Sequence, residues 1–108
     1  MEPNPSIGIV GLPWYEADSY QAVMALMHDR NTLFRTHAEW LGAAKRTEDV
    51  YRKKVAAVVR VVLDEVQFPA WCATNRPGLH VDGKVRADYA AFVAAQQHRA
   101  GEEGARRH

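Results

Sequence analysis

Ala57-Val58-Val59-Arg60-Val61-Val62-Leu63 is the stretch that decides the fold. Every side chain but one is apolar, and four are valine. β-Branched residues are stiff at χ1 and pack well on a pleated surface, so the stretch predicts a strand. An apolar run without alternation predicts a strand covered on both faces. Arg60 is the exception, and its guanidinium must reach water or a carboxylate.

Toward the N-terminus, Ile7-Gly8-Ile9-Val10 predicts a second short strand, ended by Gly11-Leu12-Pro13. Residues 1–5 hold two prolines and read as an extended lead-in. Between the strands, Asp18 with Gln21 three residues later forms a helix-start pattern. Tyr20, Val23, Met24 and Met27 then share one helical face. His28-Asp29-Arg30-Asn31 ends this helix, and Leu33 and Phe34 are apolar plugs in the connection. Thr36-His37-Ala38-Glu39 is a capping box that predicts a long helix to about Lys54. Trp40, Ala44, Tyr51 and Val55 mark its buried face. Lys45 with Asp49, Glu48 with Arg52, and Asp49 with Lys53 are opposite charges at i and i+4 along it.

Toward the C-terminus, Asp64 closes the central strand and, with Gln67, opens a further helix. Pro69 lacks a backbone donor, which places the helix start between residues 65 and 68. Phe68, Trp71 and Cys72 lie on one face of it. Asn75-Arg76-Pro77-Gly78 predicts a turn. Asp82 caps a last helix with the stripe Val85, Tyr89, Phe92, Val93 and Gln96. Residues 101–108 read as a frayed charged tail.

The order is β-α-α-β-α-α, an α+β fold of α/β-like order with a small two-stranded sheet covered by about four helices. It is read as a single domain over residues 1–100. Two strands alone make a weak sheet. Either they pair beneath the helices or a second copy extends the sheet, and on this ground a homodimer is expected.

The chain has 108 residues, 47% hydrophobic and 25% charged, with a net charge of +1. Those values suit a folded domain rather than a disordered one, and the charge gives no reason to expect nucleic acid as a partner. Cys72 is the only cysteine, so no internal disulfide forms, in keeping with a cytoplasmic setting. The start lacks a signal-peptide pattern. The apolar stretches at 55–59 and 90–95 are far shorter than the roughly 20 residues of a membrane span.

Three segments carry a family resemblance. Gly11-Leu12-Pro13-Trp14-Tyr15 follows a strand, and Val59-Arg60-Val61-Val62-Leu63-Asp64 precedes Phe68 and Trp71-Cys72. Asp82, Val85 and Arg86 then lead to Tyr89 and Phe92. The set resembles a group of small uncharacterised bacterial proteins over residues 7–93. The resemblance implies a bacterial cytoplasmic protein and no particular chemistry.

No metal, cofactor or catalytic pattern is found. Cys72 beside Trp71 reads as a small core residue more than a nucleophile, since no flanking signature surrounds it. His28, His37, His80, His98 and His108 lack the i, i+4 spacing of helical metal ligands and read as surface residues. Arg52-Lys53-Lys54 is explained by its helical ion pairs. Trp14-Tyr15 is the most informative feature. Strand ends often border ligand crevices, and large aromatics there can wall one. They can equally plug the core, and Trp14, Trp40 and Trp71 can form one aromatic cluster.

Three functions follow in order. The first is a non-enzymatic interaction or accessory module, dimeric, with a protein partner. Ala90, Ala91, Ala94 and Ala95 would let another helix approach closely in such a module. The second is a small-molecule or catalytic pocket lined by Trp14, Tyr15, Arg60, Trp71 and Cys72, with Asp64 as a polar contact. The third is DNA binding through the C-terminal helices.

Overall fold

The computed structural model describes residues 8–78 and 80–106, with side chains to residue 98. The expected lead-in over residues 1–5 lies outside the described residues. The elements run β1 (Ile9–Trp14), α1 (Tyr20–Met24), α2 (His37–Arg52), β2 (Ala57–Val62), α3 (Gln67–Asn75) and α4 (Gly83–Arg106). Short 3-10 turns at Ala17–Ser19 and Arg30–Thr32 flank α1. This is the expected β-α-α-β-α-α order, and the two strands pair in parallel from Ile9 opposite Ala57 to Trp14 opposite Val62.

β1 runs through Gly11-Leu12-Pro13 instead of ending there. The reason is geometric. The Trp14 carbonyl accepts from Leu63 N at 2.9 Å, so alternate residues of β1 direct their backbone groups to β2. Pro13 falls between them, and its missing N–H faces the open edge, where proline is tolerated.

α4 packs on one sheet face and α2 on the other. Gly11 lies directly under α4. A Cβ there would collide with the Ala90 carbonyl, coming within 2.8 Å of Ala90 C and 2.9 Å of Ala94 Cβ. Ala90 and Ala94 are buried by this contact, while Ala91 and Ala95 stay exposed. The alanine stripe is therefore used within the chain, which corrects its reading as an approach for a partner helix. Val61 and Leu63 are buried in the core. Phe68, Met27, Leu63 and Val23 are its largest fully buried side chains. Each contributes about 1.5–3 kcal/mol relative to exposure.

The other face is not a covered apolar surface, as the valine run suggested. Val62 and Arg60 remain exposed. The buried residue of α2 is Glu48, which meets Arg60, whereas Trp40 and Ala44 are half-buried and Tyr51 is exposed. Of the three expected ion pairs along α2, Glu48–Arg52 closes, at 3.2 Å.

The caps follow the sequence. Glu39 N donates to Thr36 Oγ1 at 3.2 Å, and Val85 N donates to Asp82 Oδ1 at 3.2 Å. Asp64 Oδ1 accepts from the backbone N–H groups of Val66 and Gln67. Pro69 sits in the first turn of α3, where its missing donor has no helical partner to lose. The expected cap at Asp18 does not form. Residues 17–19 make a 3-10 turn, and α1 begins at Tyr20 with no side-chain cap. Gly78 closes the 75–78 turn at φ 78°, a value that favours glycine. α4 extends to Arg106, past the expected break at Gly101.

Replacing Gly11 by alanine should destabilise the fold by about 1–3 kcal/mol through overpacking against α4. Urea unfolding would show this as a lower midpoint with an unchanged slope. Gly8→Ala, where nothing lies within 4 Å of the added carbon, is the matched control.

Candidate functional site

β1 delivers Trp14 and Tyr15 to its C-terminal end, where they wall a cleft of about 400 Å³. Trp40 comes from α2, Tyr20 from α1, and Phe34 from the connection between them. Ala43, Ala44 and Thr47 of α2 line one side, and Gly83, Arg86 and Ala87 at the start of α4 line another.

The aromatic walls hold one another edge to face. Trp40 lies 4.9 Å from both Trp14 and Tyr15 between ring centroids, and Tyr15 lies 5.8 Å from Tyr20. Such pairs are worth about 0.5–1.5 kcal/mol beyond buried area. His37 Nε2 donates to the Tyr15 carbonyl at 2.8 Å, which ties the start of α2 to the end of β1. Behind the wall, the Arg60 guanidinium lies 4.1 Å from the centre of the Trp14 ring. Arg60 also forks onto Glu48, with Nε 2.6 Å from Oε2 and Nη2 2.8 Å from Oε1. Hydrogen bonding from Arg60 holds the Glu48 carboxyl below the ordinary glutamate range, against the opposing effect of burial.

The polar content of the cleft is small. Arg86 is buried and grips Asp29 through two hydrogen bonds of 2.7 and 2.9 Å. Those bonds hold the Asp29 carboxyl below its usual range. Burial pushes the Tyr15 phenol up to about 12, so it stays protonated and can donate. The Tyr20 hydroxyl is already spent on the Phe34 carbonyl.

The expected site residues separate into four places. Trp14 and Tyr15 line the cleft. Arg60 sits behind Trp14 and braces it. Asp64 caps α3, as described above. Trp71 and Cys72 lie on α3 against α4, where Trp71 meets Tyr89 at 5.4 Å and Phe92 at 5.9 Å. A single pocket lined by Trp14, Tyr15, Arg60, Trp71 and Cys72 is therefore not what the structure assembles. The single tryptophan cluster likewise divides in two, because α3 packs away from the end of β1. Cys72 is buried, and that burial pushes its thiol up, which disfavours the thiolate.

Arg86, Tyr20, Trp40 and Phe34 were not singled out as cleft residues. Trp40 carries a signal through its expected aromatic contact with Trp14, and Arg86 as a cation one turn past a capped helix start. His28, His80 and His98 are exposed, as expected, and His37 is half-buried; His28 Nδ1 accepts from Val81 N at 2.7 Å, and the His28 and His80 rings lie 4.4 Å apart. Among the described residues, no three His, Cys, Asp or Glu side chains converge as metal ligands. No described helix is long and apolar enough to cross a membrane. No family model, curated protein or solved structure matches the chain.

Because the folded-state pKa of Glu48 is depressed, its pair stabilises the fold above the unfolded glutamate value of about 4.3. That stabilisation is lost as pH falls through the folded value. Glu48→Gln should lower stability at neutral pH and flatten the acid limb of a urea-midpoint profile below about pH 4. An unchanged acid limb would assign that limb to other carboxylates.

Proposed function

We propose that this chain binds a small, largely apolar, ring-bearing molecule in the cleft at the end of β1. One observation carries the reading: a preformed cleft of about 400 Å³ walled by five aromatic residues with few polar groups. Ligand sites are typically about 300–1,000 Å³, mostly apolar, and often placed beyond the carboxyl ends of parallel strands. The edge-to-face packing of Trp14, Tyr15 and Trp40 braces the wall, and the Tyr15 phenol offers one neutral donor. The Tyr15–Trp40 spacing of 4.9 Å leaves no room between those rings, so the ligand lies against the aromatic wall rather than inside a cage. Cys72, kept as a buried thiol, accords with a reducing bacterial cytoplasm as the setting.

Aromatic fragments titrated into the protein should quench tryptophan emission and shift backbone amides around Tyr15, Ala44 and Arg86. Thr47→Phe with Ala87→Leu replaces two exposed lining residues and should fill the cleft and abolish the response while leaving thermal unfolding unchanged. A response that survives this filling would place the binding elsewhere.

The interaction-module reading, acting as a homodimer, has one observation in its favour. Val58, Arg60 and Val62 direct their backbone groups away from β1, and no described backbone group pairs with them. An unpaired strand edge is a template for a second strand. Native mass spectrometry should then show a dimer that Val62→Pro dissociates, since this change removes an outward N–H and no bond to β1. A monomer in the unsubstituted protein would sink this reading. No observation favours DNA binding: Arg76 and Lys84 are bonded to Asp88, and Arg86 to Asp29.

A further inference from the structure

A second cavity of about 530 Å³ adjoins the aromatic cleft. The two share Met24, Leu33 and Phe34 as a common wall. Their linings differ in kind. The second cavity adds Gln21, Ala25, Arg30, Asn31 and Arg35, so it holds two cations and no carboxylate. Arg30 spends one bond, from Nη1 to the Met27 carbonyl at 3.0 Å. Arg35 is exposed, and its guanidinium has no hydrogen bond or ion pair among the described residues. The acid next to Arg30 in sequence, Asp29, is held by both terminal nitrogens of Arg86, and Glu39, four residues after Arg35, is not part of the lining and forms no ion pair with Arg35.

The dividing wall is a strap rather than a regular element. Residues 33–36 lie between the Arg30–Thr32 turn and α2. Two side-chain bonds pin them: Tyr20 Oη to the Phe34 carbonyl at 2.5 Å and Gln21 Nε2 to the Arg35 carbonyl at 2.9 Å. The Phe34 side chain is 46% exposed at the rim common to both cavities. A molecule seated on the aromatic wall can therefore pass over Phe34 and bring a polar end to the two arginines.

We infer that the ligand is an amphipathic anion: its ring or chain lies in the aromatic cleft, and its carboxylate or phosphate is met by Arg30 and Arg35. This rests on the small-molecule reading above and names the ligand class for it. The chemistry is matched at both ends. Arginine forks suit the paired oxygens of either group, and their planar guanidinium is weakly hydrated compared with an ammonium. Within the cleft itself Arg86 is neutralised by Asp29, so a charge is accommodated at the second cavity and not at the first.

Three probes of one shape test this: 2-naphthoate, 2-naphthyl phosphate and the neutral 2-naphthalenemethanol, each titrated by tryptophan fluorescence and amide shifts. At least one anion should bind about tenfold or more tightly than the alcohol, a difference of about 1.4 kcal/mol. Which anion is tighter separates a carboxylate site from a phosphate site. Arg35→Gln, and Arg30→Gln with Arg35→Gln, should bring the anions to the affinity of the alcohol and leave the alcohol unchanged. Circular dichroism of the single Arg35→Gln variant guards against misfolding. Equal binding of all three probes, or anion binding indifferent to both variants, overturns the anionic end while the cleft reading stands. Failure of all three to bind overturns both.

Discussion

Where the Ala90 carbonyl rests on Gly11, α4 and β1 approach too closely to admit even a Cβ between them. A two-stranded parallel sheet has little cohesion of its own. Close seating of a long helix lets the sheet bury the C-terminal part of one face, with Ala90 and Ala94 filling the seam, Val61 and Leu63 buried in the same core, and Ile9 and Val59 half-buried against it. That seating also determines where the first turn of α4 falls. Gly83, Arg86 and Ala87 reach the end of β1 because Ala90 and Ala94, one and two turns further along α4, are seated on Gly11. The cleft exists because the strand ends there while the helix continues past it.

Charge organises what apolar packing leaves loose. Arg86 and Asp29 are 57 positions apart and join the start of α4 to the loop after α1. His28 and Val81 exchange two bonds in the same region, at 2.8 and 2.7 Å. On the opposite sheet face, Glu48 gathers Arg60 and Arg52. A buried carboxylate costs heavily unless paired; Glu48 is paired by the Arg60 fork, and Arg60 in turn backs the Trp14 ring. The aromatic wall is thus fixed from behind by an ion pair and from the side by Trp40 and His37. Preorganisation of this kind lowers the ordering cost of binding.

The two sheet faces divide labour. The face under α4 is apolar, and it carries Val61 and Leu63 into the core. The face under α2 is half open and carries aromatic, cationic and acidic groups in close contact. The binding proposed above would draw on the second face, which combines fixed walls with access from solvent.

Local rules were legible in the residues themselves. The β-α-α-β-α-α order, the caps at Thr36, Asp64 and Asp82, the turn at Gly78, and the need of Arg60 for water or a carboxylate all follow from short-range chemistry. Trp14 and Tyr15 at a strand end could be placed beside a crevice for the same reason. Strand direction and neighbours could not, because they depend on groups far apart in the chain. Pro13 reads as a strand breaker until its nitrogen is known to face an open edge. The alanines of α4 read as a free surface until Gly11 is known to lie under them. Trp71 reads as a companion of Trp14 until α3 is seen to pack elsewhere. Capping and periodicity act within a few residues, so the order of helices and strands and the starts of α2, α3 and α4 could be read locally, whereas the bounds of β1 and the uncapped start of α1 could not. Only the tertiary structure decided which side chains share a cleft, because that depends on a helix–strand contact joining positions about 80 residues apart.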